Sequence, residues 1–417
     1  MTENLTAWPL WQKVLLRFFF VFFSMAILVN AVWIQGFYQW YIQPFQAAAT
    51  WVGHHFFDLP VVNFDGKGSG DTSGSYLLLL VISFLASIGT AIWSVTDRRK
   101  NYDRLFYWLI VILRCYLIAI MMIYGFSKIF KTQFFYPSPE RLNETYGQSS
   151  PMTLAWTFFG YSGTYNYFMG IAELGCVPLL LFRRTTLLGG LLASVVTANI
   201  VAVNYCFDVP VKILSTTLFV MSIVIIAKDA KRLLSFFFLN RVILPENSSP
   251  LLFKNKWKTM ALISIKYLVL IVLIGGIVFA GLSKDVRKYR IPPDKLLGSY
   301  NVIEMNNPQT PKDNTVLLKW DEVTITPDAI NVKLSNHEHL NFLYKNEEGN
   351  HKLVLFRDKS AKPSGELTYQ YIDPNVLILQ GNLDNNKINV KLGLNDWENS
   401  LLIRRGFHWV NEHPYER

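Results

Sequence analysis

The stretch Ile118–Lys131, IAIMMIYGFSKIFK, decides how the first two thirds of this 417-residue chain are read. It closes an apolar run that begins near Leu105, long enough at 1.5 Å per residue to cross a bilayer core of about 30 Å. It then ends in Tyr-Gly-Phe-Ser-Lys rather than in a plain charged loop. Runs of the same grade recur at Leu15–Ile34, Tyr76–Trp93, Asn166–Phe182, Leu187–Tyr205, Val211–Ala227 and Met260–Leu282, which makes seven with Leu105–Phe126. A chain 51% hydrophobic, 15% aromatic and only 17% charged fits that reading. The expected class is an all-α membrane bundle, and the first span, which lacks a small-residue cleavage site, is read as a retained helix.

Loop charge sets the expected orientation. Arg98, Arg99, Lys100 and Arg104 follow the second span, Arg183 and Arg184 the fourth, and Lys228, Lys231, Arg232, Arg241, Lys254, Lys256 and Lys258 the sixth. The alternate loops are poor in lysine and arginine, so the amino terminus is expected inside and the carboxyl terminus outside. From Ser283 to Arg417 acidic and basic residues balance at 18 each, so the net +10 belongs to the membrane part. It points to anionic lipid and topology, not to nucleic acid.

After Leu282 the period changes from 3.6 to 2. Eight or nine short alternating runs, from Ser299–Met305 to Lys387–Leu392 and Leu401–Phe407, are separated by Asn, Gly, Pro and Asp turns. An antiparallel barrel that abolishes its own edges is the favoured outcome, with a sandwich as the alternative. The expected division is 1–282 helical and 283–417 all-β, the latter periplasmic.

Ionisable residues inside spans are expensive unless they face a partner or a wet cavity. Arg114 and Glu173 are expected at similar depth near the midplane and therefore to pair, either locking two helices or flooring a pocket. Lys128 is fourteen residues beyond Arg114, which returns it to within about 40° of the same helix face. Tyr124 lies one turn below it, and Gly125 admits a close backbone. The alternative for Lys128, and the preferred reading of Lys131, is a side chain snorkelling to the headgroups. A second constellation, Asn199, Asn204, Tyr205, Asp208 and Lys212, marks the turn between the fifth and sixth spans, where Asp208 alone is explained by capping the next helix. His54 and His55 lack a third ligand at sensible spacing, and the three cysteines match no metal or redox pattern, so no metal site is expected.

The segments Tyr116–Lys128, Gly170-Ile-Ala-Glu-Leu-Gly and Gly189–Asn204, in that order, resemble the DoxX family of membrane proteins, with a core at about 105–227. The GSGDT loop, NYCFDVPVK turn and RGFHWVNEHPYER ending are similar to long DoxX-like proteins of Bacteroidetes, and the β-domain loosely resembles lipocalin-type barrels. The Gly-x-x-Lys position also resembles the HTTM group that includes vitamin K-dependent gamma-carboxylases, in which this lysine is a base beside a quinone. These resemblances imply a multi-pass inner-membrane protein of a bacterium, with Lys128 as the proton-transfer residue. They imply an outward pocket lined by Arg114, Tyr124, Glu173, Asn199, Asn204, Asp208 and Lys212, and a quinone or another small amphiphile as ligand. The opposing expectation is a non-catalytic anchor that displays the β-domain to a periplasmic or membrane partner.

Overall fold

The structure, a computed structural model, describes residues 8–29, 35–64, 70–241, 296–306, 319–327, 329–336, 338–357, 362–384, 386–395 and 401–404, with isolated positions between 257 and 278. Contacts divide the chain into two compact units, Met1–Phe130 with Thr164–Ser283, and Lys131–Gly163 with Lys284–Arg417.

The first unit is helical. Its elements are α1 (Leu10–Val29), α2 (Gln35–Phe57), α3 (Ser73–Thr96) and α4 (Asp103–Ile129), followed after the break by α7 (Gly163–Leu181), α8 (Thr186–Cys206), α9 (Lys212–Ala227) and α10 (Ala230–Leu239). α1 packs on α3, α2 on α3, α8 on α9, and α4 on α9. The core follows α4, whose Leu109, Leu113, Leu117, Met121 and Met122 are almost fully buried together with Phe23, Cys176, Leu180 and Met221. Half of the apolar window of α4 is inside the protein, against 22–28% for the other long apolar helices, so the helix that ends in Lys128 is the central one.

Among the described residues four helices are long and apolar enough to cross a membrane, fewer than the seven spans expected: α1, α3, α4 and the run Arg183–Cys206; a fifth is obtained if α9 and α10, bent by 76° at their junction, form one span. α7 occupies the place drawn for the fourth span, but Asn166, Glu173 and Pro178 dilute its apolarity. The seventh expected span, Met260–Leu282, lies largely outside the described residues. α2 was unexpected, since Pro44 and its glutamines obscure the pattern over Gln35–Phe57.

The second unit contains α5 (Pro139–Asn143), α6 (Pro151–Tyr161) and eight strands: β1 (Gly298–Asn306), β2 (Trp320–Ile325), β3 (Ala329–Leu334), β4 (His339–Glu347), β5 (Lys352–Phe356), β6 (Gly365–Asp373), β7 (Val376–Leu383) and β8 (Asn386–Leu394). Each strand pairs with the next and β8 pairs back with β1, all antiparallel, giving a closed barrel. Alternation supplies the interior: Ile330, Val332 and Leu334 of β3, Leu353 and Leu355 of β5, and Ile388, Val390 and Leu392 of β8 all point in. Trp320, Tyr300 and Phe342, each about 1% exposed, join them in one apolar cluster. Of the ninth expected run, Leu401–Phe407, the described residues Leu401–Arg404 form a helical turn; the closed ladder of eight strands offers no edge to pair with, and the rest of the run lies outside the described residues. α5 packs against β1, and Asn143 Nδ2 donates to Glu322 Oε1 over 3.4 Å.

The segment before α6 is held to that helix by Lys131. Its Nζ donates to the Gly160 carbonyl at 2.5 Å and stands 3.7 Å over the Tyr136 ring. Lys131 is 8% exposed, which replaces the snorkelling expected of it with a buried role at the last turn of α6.

Candidate functional site

α4 and α7 run antiparallel and touch through two glycines. A Cβ on Gly170 would stand 2.8 Å from the Gly125 carbonyl oxygen and 2.8 Å from Ile129 Cγ1, so only glycine permits this approach. The contact brings Lys128 to Glu173: Nζ lies 2.7 Å from Oε1, with side-chain exposures of 7% and 3%. The lysine Nζ is also 5.6 Å from the Tyr124 ring centroid. On α7, Asn166, Gly170 and Glu173 share the buried face at the i, i+4, i+7 spacing. Glu173 Oε2 is buried and has no hydrogen-bond partner among the described residues. A carboxylate oxygen left so inside protein is costly, and paired acceptors are the rule. Among the described residues no group of three His, Cys, Asp or Glu could hold a metal ion.

The expected Arg114–Glu173 pair does not form. Arg114 instead donates from Nε and Nη2 to the Leu180 carbonyl, at 2.7 and 2.5 Å. Leu180 is in the last turn of α7, where carbonyls lack an intrahelical donor and the dipole favours a cation. Glu173 is two turns further along and is met by Lys128, because long side chains lean toward the start of their own helix. In an antiparallel pair that lean brings Lys128 and Glu173 toward each other.

The second constellation separates. Asp208 pairs with Lys212 at 2.8 Å, but Asp208 is 82% exposed, so this is a surface pair of little energetic weight. The cap expected from Asp208 is supplied by Asp71, whose two carboxylate oxygens accept from the backbone N–H groups of Lys212 at 2.6 Å and Ile213 at 3.0 Å. Asp208 instead takes the left-handed φ of 50° that ends the α8 turn. Asn204 is 6% exposed, and its amide donates to the Val211 carbonyl over 3.4 Å, fastening the α8–α9 turn. Asn199 is exposed on α8, about 200° around the helix from buried Thr197 and on the face away from Asn204. The described ionic contact of Lys128 runs to Glu173 and that of Lys212 to Asp208, giving two pairs where one polar pocket was expected.

A third cluster carried no expectation. Arg17 of α1, 2% exposed, donates to Ser94 Oγ at 2.8 Å, to the Asp97 carbonyl and to the Tyr102 hydroxyl. Tyr102 in turn donates to Asp97 Oδ2 at 2.9 Å. The backbone N–H of Arg99, and then the Trp93 indole and Tyr102 hydroxyl, hold the Asp97 carboxyl down to about 2 from an ordinary 3.8. A depressed folded value stabilises fully above pH 3.8, and that stabilisation is lost as pH falls toward 2. The expected result for Asp97→Asn is an unfolding temperature with a flatter dependence on pH across that window than in the parent. Thermal unfolding of the full chain at stepped pH checks it, and parallel curves count against it.

No protein-family model matches the chain, and no solved structure matches it. A relative does. The uncharacterized protein YwoB of Bacillus subtilis (strain 168) is 38% identical over 124 residues, which cover 79% of YwoB and 30% of this chain. The chain belongs to the YwoB family. Most of the 417 residues have no counterpart in the YwoB alignment, so the shared part is a module that this chain extends. YwoB, uncharacterized, brings no activity with it.

Proposed function

We propose that the helical unit is a membrane-embedded binding site for a small amphiphile, with the Lys128–Glu173 pair as its polar centre. The observation that carries this reading is Glu173 Oε2: a buried acceptor with no described partner, beside an oxygen already held by Lys128. Such an oxygen is satisfied by a ligand hydroxyl. A hydroquinone or phenol headgroup with an apolar tail has that chemistry, and the DoxX and HTTM resemblance of Gly125–Lys128 supports a quinone. Lys128 would hold Glu173 in position and balance its charge while a proton is exchanged with the ligand hydroxyl at Oε2.

The reading includes an amino terminus on the cytoplasmic face and the barrel outside a bacterial plasma membrane. Basic loops after α3 and α7 support it. The contacts from Gly125–Gly170 to Arg114–Leu180 run α7 alongside α4, which supports counting α7 as a crossing helix despite its polar residues. Lys128 then lies at the outer end of its span.

A second reading, an anchor that displays the barrel to a protein partner, is favoured by the apolar filling of the barrel, which leaves the outer surface as its means of recognition. Extraction in mild detergent followed by native mass spectrometry separates the two. A small molecule bound to the parent and lost from Glu173→Gln, but retained by Lys212→Gln, supports the site. A parent carrying no small molecule while a protein partner copurifies in fixed ratio rules for the anchor.

A further inference from the structure

α8 has two opposite faces. Gly189, Gly190, Ala193, Thr197 and Asn204 are buried. Leu188, Val195, Asn199, Ala202, Tyr205 and Cys206 are exposed. At 100° per residue all of these but Tyr205 fall within an arc of about 60° on the far side from the buried set, and Tyr205 stands about 60° outside that stripe. The helix belongs to the run Arg183–Cys206, long and apolar enough to cross a membrane, and the stripe follows its length. Asn199 lies about 16 Å along the axis from Leu188 and about 10 Å from Cys206, which places it inside the hydrocarbon of a bilayer. Thr197, on the buried face, satisfies its hydroxyl on the Ala193 carbonyl at 2.6 Å. The Asn199 amide has no hydrogen bond of that kind among the described residues, and an amide turned to lipid is costly.

We propose that this stripe is the interface of a homodimer, formed by α8 against α8 of a second copy, with the two Asn199 amides bonded to each other near the helix crossing. The amide makes the case for a second copy over an unlike partner. It carries both donors and an acceptor, so it complements itself across a two-fold axis. Ala202, one turn from Asn199, is small enough for close helix approach, and Val195, one turn to the other side, offers an apolar packing surface. The spacings of 7, 4, 3 and 4 along the stripe are those of a left-handed helix pair, and no stripe residue carries a charge that would meet its own copy. None of these residues belongs to the Lys128–Glu173 site, so the two proposals stand or fall separately.

The test uses the full chain carrying Cys115→Ser, reconstituted in lipid vesicles at a series of protein-to-lipid ratios and treated with a short thiol crosslinker. Cys206, exposed at the outer end of the stripe, is the reporter, while Cys176 is buried. The parent is expected to give covalent dimer at low protein density. Asn199→Val is expected to need about tenfold higher density for the same yield, and Asn199→Gln to recover most of the loss. Thermal unfolding of Asn199→Val should match the parent in detergent diluted until both are monomeric, since the residue faces outward from the protomer. Crosslinking no greater than random collision in the parent, or an Asn199→Val curve that overlays it, would overturn the proposal.

Discussion

Lys128→Met is expected to destabilise the helical unit by about 3–5 kcal/mol, because it leaves the Glu173 carboxylate buried without its counter-charge. The paired change Lys128→Met with Glu173→Leu is expected to recover most of that loss, since removing both members of a buried pair removes the desolvation penalty with them. Sequence reasoning alone treats Lys128→Met as a purely chemical lesion in an intact fold. The 2.7 Å contact and the burial of both groups make it a structural lesion first. Cys176, fully buried three residues beyond Glu173, gives the readout. In a background lacking the exposed Cys115 and Cys206, thiol labelling of Cys176 against temperature reports the opening of α7. A single substitution that labels like the parent would show that the pair carries no strain on loss of one member. Any functional assay of Lys128 therefore has to be read beside the double variant.

Trp320→Ala is expected to cost the barrel about 3–5 kcal/mol, the range for deleting a buried aromatic side chain. Trp320 is 1% exposed, pairs with Leu334 across β2 and β3, and is among the largest fully buried side chains of the chain. No movement of one strand fills the void, because closure ties each strand to both neighbours. Tyr300→Phe is the matched control: it keeps the ring and removes the hydroxyl that donates to the Leu296 carbonyl at 3.0 Å, a loss of about 1 kcal/mol. Proteolysis of the full chain in rising urea, scored by barrel fragments, ranks the two. Equal susceptibility would mean that the interior is not the packed cluster described.

How much of this was readable in the sequence depends on the range of the interaction. The strands were, because alternation such as Ile330, Val332, Leu334 is local and its period is the geometry itself. The apolar helices were readable in part: the long apolar runs of α1, α3, α4 and α8 are local signals, whereas α7 is diluted by polar residues and α2 was not drawn. The phase relation between Arg114 and Lys128 turned both toward one neighbour, α7. The partner of each was not. Matching Arg114 to Glu173 assumed that depth counted from loop charges fixes the contact, whereas the direction of side-chain lean and the open carbonyls at the end of α7 decide it. Asp71 caps α9 from 141 residues away, a pairing invisible to local capping rules that pointed to Asp208. Arg17 had a legible signal that went unused: a single arginine inside the apolar run Leu10–Val29 is subject to the same cost argument as Arg114. Asn199 carried one too, since its phase sets it apart from Thr197 and Asn204.

In the proposed site Glu173 Oε2 faces a ligand. An experimental density map of the full chain, extracted with its native lipid, tests it most directly. The expected result is elongated non-protein density with one end within hydrogen-bond distance of Glu173 Oε2 and the rest along the α4–α7 surface. Side chains closed over that oxygen, or a single water-sized peak beside it, would contradict the claim.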